Sequence, residues 1–569
     1  YYKFNMPVLK KLSMLVLSAA ISSAAWAQST PREMRAATIK LTQWGYASGN
    51  IEGQKEYLRD LVMKLDQLGF NTLFVELQAD GATGWQSAVQ PSLICFTDKA
   101  TGSMNYDPAQ FVIDCCRDVN IDTYALVDPL HIGTPAVIEK YIDSKVGHAY
   151  YNKADMCTTG EGSEVVLNPG VDVTISYLSD LYGELSKNYD FDGIVFDNVQ
   201  YPLNGIDDAE TFQQNNPEFV TRDVWRRNNL TKLISALSGV IRSKAPYCRI
   251  AVTSEGTYQN RPGFYNPTAY GTYLQDAGAW MSRGYVDMVI PRMYHTEKEG
   301  FSRNLQFWID SSAGRAVTVQ LDTSTLTDYK GTTSSFLNEM IGKVRAVTGV
   351  YGISVSSTDF IDSYSSEPVA FKKALTDDIF NLPAHVGPLS FVTSARPGPP
   401  VNVLYDYDGF DYKLTWNYPH EVEAPIKYYS VYRLVNNELQ PDNPLCNPVF
   451  KTSEMSAVIS GLSDTDRFFV TAFDRNGKES QLVEATGVEA VKNDNEKFSM
   501  TFNGSHVSVE SEIPVISFEL YDSEGHLYIN KDFAKMATDR FDFEAPRKKV
   551  LILRAFTIDK RTITKKFIL

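Results

Sequence analysis

The sequence predicts an α/β chain: a (β/α)8 barrel of the TIM type followed by two all-β, sandwich-like domains. Three observations predict it. Between about Glu33 and Pro383, short β-rich runs alternate with helical patterns. Several of those runs close on a carboxylate, as barrel strands do where their tips open into a site. Beyond the linker Arg396-Pro-Gly-Pro-Pro400, the hydrophobic period changes to two.

The β-rich runs are Met34–Leu41, Thr72–Leu77, Thr123–Asp128, Gly193–Asn198, Arg249–Glu255, Met288–Tyr294, Ala316–Asp322 and Val350–Ser356. Between them lie amphipathic stretches at helical spacing, such as Leu58, Leu61, Val62, Leu65, Leu68 and Ile175, Leu178, Leu181, Leu185. Eight such units exceed the usual barrel size through loop insertions. A doubly wound open sheet is the alternative, but no Gly-rich phosphate fingerprint follows the first strand. The domains read as an upstream extension and signal peptide over 1–27, a barrel over 28–390, and β domains over 396–488 and 491–569.

The first β domain is announced by Tyr412-Lys-Leu-Thr-Trp416, Tyr428-Tyr-Ser-Val-Tyr-Arg433 and Arg467-Phe-Phe-Val-Thr-Ala-Phe473, with Asp474-Arg-Asn-Gly477 as a turn. Its early Trp and its closing strand and turn resemble a fibronectin type III domain. The last segment carries Ile516-Ser-Phe-Glu-Leu-Tyr-Asp-Ser-Glu-Gly525 and ends on Thr564-Lys-Lys-Phe-Ile-Leu569. It resembles the C-terminal sorting domains of the type IX secretion route, though Lys549-Val-Leu-Ile-Leu-Arg554 replaces their Gly-Val-Tyr turn. That resemblance implies secretion machinery as a partner; an ordinary accessory sandwich is the other reading.

Met6 reads as the translation start. Lys10 and Lys11, the apolar run Leu12 to Ile21 and Ala25-Trp-Ala27 form a signal peptide with a small-x-small cleavage site rather than a membrane span. An exported protein of the periplasm, cell surface or medium is expected. A net charge of -15 and a pI near 5.1 argue against nucleic acid. The six cysteines (Cys95, Cys115, Cys116, Cys157, Cys248, Cys446) show no CxxC spacing, which disfavours structural zinc.

Candidate chemistry sits at the strand tips: Glu76 and Asp80 (second), Asp128 (third), Asp197 (fourth), Glu255 (fifth) and Asp322 (seventh). One acidic tip is common at caps and turns, but acids around a single rim repel one another and split their pKa values into an acid and an ionised partner. Glycosidic cleavage needs such a pair. Metal binding is the competing use, but no His pair at ligand spacing accompanies the acids, and no Gly-x-Ser-x-Gly elbow suggests an esterase. Neither a metal nor another cofactor is expected. Trp44, Trp85, Tyr201, Tyr258 and Tyr294 lie near the tips and could stack on sugar or simply pack loops. Gln78, His131, Asn198, Arg292 and His295 complete the candidate substrate-binding set.

Met34-Arg-Ala-Ala37, Gly69-Phe-Asn-Thr72, Tyr106-Asp-Pro108, Leu167-Asn-Pro-Gly170, Tyr189 to Asp197, Tyr201-Pro202, Asp223-Val-Trp-Arg-Arg227 and Val286 to Tyr294 occur in the order of the glycosyl hydrolase-like 10 family, which the first segment resembles nearly throughout. The resemblance implies a barrel of the bacterial envelope whose studied members are associated with cleaving peptidoglycan strands that have lost their stem peptides. Departures are clear. Phe196-Asp-Asn-Val199 stands for Phe-Asp-Asp-Tyr, Gln78-Ala-Asp-Gly-Ala82 for Arg-Pro-x-Gly-Asp, Asp128-Pro-Leu-His131 for Asn-Pro-Tyr-Arg and Thr253-Ser-Glu-Gly256 for Ser-Pro-Phe-Gly.

The expectation is an exported glycoside hydrolase centred on Asp197. By analogy with the α-amylase-like layout, Asp197 is the nucleophile, Glu255 the acid and Asp322 an orienter, with Asp128 and Glu76 as alternatives for the acid. An inactive glycan-binding barrel is the alternative, and a metal-dependent hydrolase a third.

Overall fold

The computed structural model describes residues 32–568 apart from 47–49, 99, 142–146, 153, 204, 261–266, 295–299, 323–332, 357–374, 408–410, 435–447, 461–466, 488–497, 523–525, 534–535, 548 and 560–561. The expected signal peptide and His295 lie outside the described residues.

Eight parallel strands close into a barrel in chain order. They are β1 Met34–Ile39, β2 Thr72–Glu76, β3 Asp122–Val127, β4 Gly193–Phe196, β5 Arg249–Glu255, β6 Met288–Arg292, β7 Ala316–Leu321 and β8 Gly352–Val355. All eight predicted runs form strands, several stopping a residue or two early where the tip turns toward the mouth. Ladder bonding still reaches the tip, since the Asp197 N–H donates to the Val127 carbonyl at 2.8 Å.

The helices follow their predicted faces. Ile51–Gln67 is capped by Asn50, whose side chain accepts from the Gly53 N–H, and buries Leu58, Leu61, Val62 and Leu65. Pro108–Asp118 starts with Asp107 as its cap and Pro in the first turn, which explains Tyr106-Asp-Pro108. Asp172–Asn188 buries Ile175, Leu178, Leu181 and Leu185.

Strand alternation decides what fills the barrel. Met34, Ala36, Phe74, Tyr124, Leu126, Val195, Ala251, Met288, Ile290 and Ala316 point inward as one cluster, floored by Val386 and Leu389. At Gly193 a Cβ would stand 2.2 Å from the Tyr124 ring, so only glycine admits that ring to the interior. Continuing the inward parity in steps of two reaches Lys40, Glu76, Asp128, Asp197, Glu255, Arg292 and Asp322. Every predicted carboxylate except Asp80 therefore lies on the face that opens into the mouth.

The loop after β3 builds an additional antiparallel sheet of His131–Gly133, Val165–Leu167 and Cys157–Thr159, a large part of the insertion that lengthens this barrel.

The first β domain packs against the N-terminal ends of the strands and forms one compact unit with the barrel. Asp411–Asn417 alternates Tyr412, Leu414 and Trp416 inward, while Ile426–Leu434 pairs with Arg467–Asp474. At the junction Lys427 Nζ reaches Asp122 at 2.7 Å and Asp192 at 2.5 Å. Fully buried His385 contacts the hydroxyls of Tyr428, Tyr432 and Ser430 at 3.1 to 3.3 Å. Burial drives its pKa well down, so it is neutral there.

Residues 486–569 belong to a second compact unit. Its 17-residue strand His506–Asp522 pairs with Phe498–Asn503, Leu527–Asp532, Thr538–Glu544 and Val550–Thr557 around a core including Phe518, Phe541 and Phe543. No helix among the described residues is long and apolar enough to cross a membrane.

Candidate active site

Asp197 stands just beyond the tip of β4, 8% exposed, at the centre of a cluster drawn from six strands. Its Oδ1 accepts from Thr253 Oγ1 at 2.5 Å and from Arg292 Nη2. Its Oδ2 is less engaged: Asn198 Nδ2 lies at 3.4 Å and Lys40 Nζ at 4.0 Å. Lys40 also reaches Glu76 Oε1 at 3.3 Å, and Glu76 Oε2 accepts from the Leu41 N–H at 2.8 Å. Burial opposes ionisation of Asp197. The charges of Arg292 and Lys40, with hydrogen bonds from Thr253 and Arg292, outweigh it and hold the carboxyl below its usual range.

Asp128 is the opposite case. Burial first, then the Asp197 charge, raises its pKa to about 6 against hydrogen bonds from Asn198 and the His131 N–H. Asn198 Nδ2 donates to Asp128 Oδ2 at 2.8 Å, so the two carboxylates flank one amide. That amide is oriented by Arg292, which donates to Asn198 Oδ1 at 2.9 Å. Asn198 holds φ +50, a left-handed conformation that Asn tolerates better than most residues. Its N–H donates to Thr253 Oγ1 at 3.3 Å.

Glu255 sits one inward position above Thr253. Burial raises its pKa, opposed by the Gly256 N–H and Arg292. Fully buried Gln275 ties this tip to β4: its Oε1 accepts from Ser254 Oγ and the Glu255 N–H, and its Nε2 donates to the Val199 and Thr253 carbonyls. Asp322 accepts from Ser356 Oγ at 3.2 Å.

Two cavities meet at Asn198. One, of about 350 Å³, is lined by Asp197, Lys40, Thr253, Arg292, Tyr294 and Gln320 among others. The other, about 300 Å³, is lined by Asp128, His131, Glu164, Val166, Tyr201 and Ile206 among others. Tyr294, 45% exposed with its hydroxyl donating to Gln320 Oε1 at 2.7 Å, offers a ring at the first cavity. Tyr201 and His131 fall on the second.

Other candidates need correction. Trp44 and Trp85 are fully covered, Trp44 packing on Phe96 at 4.9 Å. Tyr258 is buried on Trp308 and bonds Asp276 at 3.1 Å, so none of these three rings presents a face to sugar. Gln78 is buried, accepting from Tyr182 Oη at 2.7 Å and donating to Gln90. Asp80 lies beyond β2 with its backbone carbonyl 2.8 Å from His148 Nε2, and it lines neither cavity. Sequence reasoning missed Lys40, Thr253 and Gln320, although the inward parity of their strands would have found each.

One carboxylate held below its usual pKa and one raised above it stand on the same amide at the barrel mouth, a pairing suited to glycosidic cleavage. Residues 32–327 match the Glycosyl hydrolase-like 10 model, and the chain belongs to that family. It is a glycoside hydrolase. Glycosyl hydrolase DigH of Escherichia coli K12 is 26% identical over 310 residues, covering 50% of this chain and 70% of that protein. Glycosyl hydrolase YngK of Bacillus subtilis is 21% identical over 484 residues, covering 80% and 93%. Among solved structures, the PgaB glycoside hydrolase domain of Bordetella bronchiseptica shares 12% identity at a TM-score of 0.43, covering 61% of this chain and 99% of that one.

Proposed function

We propose that this glycoside hydrolase is exported and cuts amino-sugar glycans of the bacterial envelope, with peptide-free peptidoglycan strands as the first candidate. The observation that carries the chemistry is the pair Asp128 and Asp197 on the Asn198 amide. Asp128, with its pKa raised to about 6, protonates the leaving oxygen. Asp197, held ionised, attacks the anomeric carbon or activates water through Oδ2, the oxygen that Arg292 and Thr253 leave freer. Lys40 and Arg292 keep its charge in place as the transition state forms. The family resemblance supports the substrate. In the same reading the first β domain is of fibronectin type III kind and orients the barrel, and the C-terminal domain serves secretion.

The test is mass spectrometry of products from peptide-free peptidoglycan and a panel of other glycans, with wild type beside Asp197→Asn. Shortened peptidoglycan strands from the wild type alone support the proposal. Products from a different glycan would replace the substrate, and equal activity of the variant would remove Asp197 from the mechanism.

A further inference from the structure

The two carboxylates at the mouth share one nitrogen. Asn198 Nδ2 lies 2.8 Å from Asp128 Oδ2 and 3.4 Å from Asp197 Oδ2, so the two oxygens are no more than about 6.2 Å apart.

That separation decides between the two ways of breaking a glycosidic bond. In a single displacement a water stands between the base and the anomeric carbon, and the carboxyl groups sit roughly 6.5 to 9.5 Å apart. In a double displacement the carboxylate itself attacks, and roughly 5 to 5.5 Å suffices. An intervening water adds about one hydrogen-bond length, ~2.8 Å, to the path from Asp197 to the sugar. The limit set by Asn198 leaves no place for it.

The way each carboxylate is held points in the same direction. Arg292 Nη2 and Thr253 Oγ1 both donate to Asp197 Oδ1, while Oδ2 has only the longer contacts, Asn198 Nδ2 at 3.4 Å and Lys40 Nζ at 4.0 Å. Asp128 Oδ1 accepts from the Leu130 and His131 N–H groups at 3.3 and 3.1 Å. Both side chains are thus anchored through Oδ1 and meet the shared amide through Oδ2. Asp197, held below the usual carboxylate range, is a weak base toward water but a good leaving group from an ester. Asp128, raised to about 6, can give a proton and take one back.

We propose that the enzyme retains anomeric configuration, working through a covalent glycosyl ester on Asp197 Oδ2 with Asp128 serving in turn as acid and base. This rests on the glycosidase reading above and adds the stereochemical outcome. In the first step Oδ2 bonds to the anomeric carbon as the bond to the departing sugar breaks. The electron pair leaves on the departing oxygen, which takes the Asp128 proton. In the second step Asp128 takes a proton from water, whose oxygen bonds to the anomeric carbon. The ester bond breaks and its pair returns to Asp197. One water is consumed for each bond cut, and two inversions restore the starting configuration.

The test uses the full-length protein and whichever of the screened glycans it cleaves. Proton NMR in D2O, read before mutarotation, should show the new reducing end in the configuration of the bond that was cut. The opposite configuration overturns the proposal. Asp197→Ala, or Asp197→Ser should the first not fold, should lose turnover and regain part of it with sodium azide. The product should then be a glycosyl azide of configuration opposite to the bond cut. Retention by the wild type with no azide product from a folded variant overturns Asp197 as the nucleophile. No cleavage of any glycan by the wild type would instead sink the glycosidase reading, and this proposal with it.

Discussion

Asp128 and Asp197 both meet the Asn198 Nδ2 group, yet their pKa values are pushed in opposite directions because their other neighbours differ. Asp197 has Arg292, Lys40 and Thr253. Asp128 has burial and the Asp197 charge acting on it, with backbone N–H groups as partial relief. Environment alone divides the labour between two chemically identical side chains.

Asp128→Asn should lower kcat on sugar leaving groups on the order of 10²- to 10³-fold, whereas Glu255→Gln should cost under about tenfold. Wild-type kcat/KM should fall as pH rises through about 6, where Asp128 loses its proton, and this limb should vanish in the variant. A pH–rate profile of both variants checks it. If Glu255→Gln removes the limb instead, Glu255 is the acid.

Removing Arg292 takes away the largest influence favouring the Asp197 charge. Arg292→Ala should therefore raise the Asp197 pKa and move the acidic limb of the profile upward, with kcat down roughly 10²-fold. Arg292→Lys should rescue only part of this, because the shorter lysine must bring to Asp197, Asn198 and Thr253 the contacts that Arg292 makes from Nη2 at the far end of its guanidinium. An unmoved limb would separate Arg292 from the ionisation of Asp197.

Asn198→Asp puts the family's usual acid pair into this chain. It replaces a donor that stabilises the Asp128 carboxylate with a third negative charge, so the Asp128 pKa should rise further. The basic limb should shift above 6, readable in the same profile. A downward shift would contradict the bridging role of the amide.

Lys427→Met should destabilise the barrel and its docked sandwich by about 3 kcal/mol, since Asp122 and Asp192 lose their shared cation. In the wild type the Asp192 pKa is depressed: burial opposes this, and Lys427 outweighs it. Its contribution is therefore present above the unfolded carboxylate range and lost as pH falls through the folded value. The variant should differ most from wild type near neutral pH and converge in acid, by urea unfolding at several pH values. Unchanged KM would show that the effect is structural.

How much was legible follows from local patterning. The eight strands could be read because each is a short apolar run with a turn on either side, and the carboxylate tips because strand ends are sequence-local. Trp44 and Tyr258 misled because nearness to a tip in sequence does not fix which way a ring faces; both go to the helical layer outside the barrel. Lys40 and Gln320 were missed for the reverse reason: inward parity points to both, but neither sits in a motif that marks it as chemical, and only closing the sheet brings them to Asp197 and Tyr294. The division between Asp128 and Glu255 could not be read at all, since it depends on Asn198 and Arg292 meeting from different strands.

The sandwich seated on Asp122, Asp192 and Arg249 occupies the end of the barrel opposite Asp197. A glycan lying across the mouth therefore meets the inserted sheet and the loops, and never this module. Anything bound by the module's outer face would be held on the side of the barrel away from Asp197.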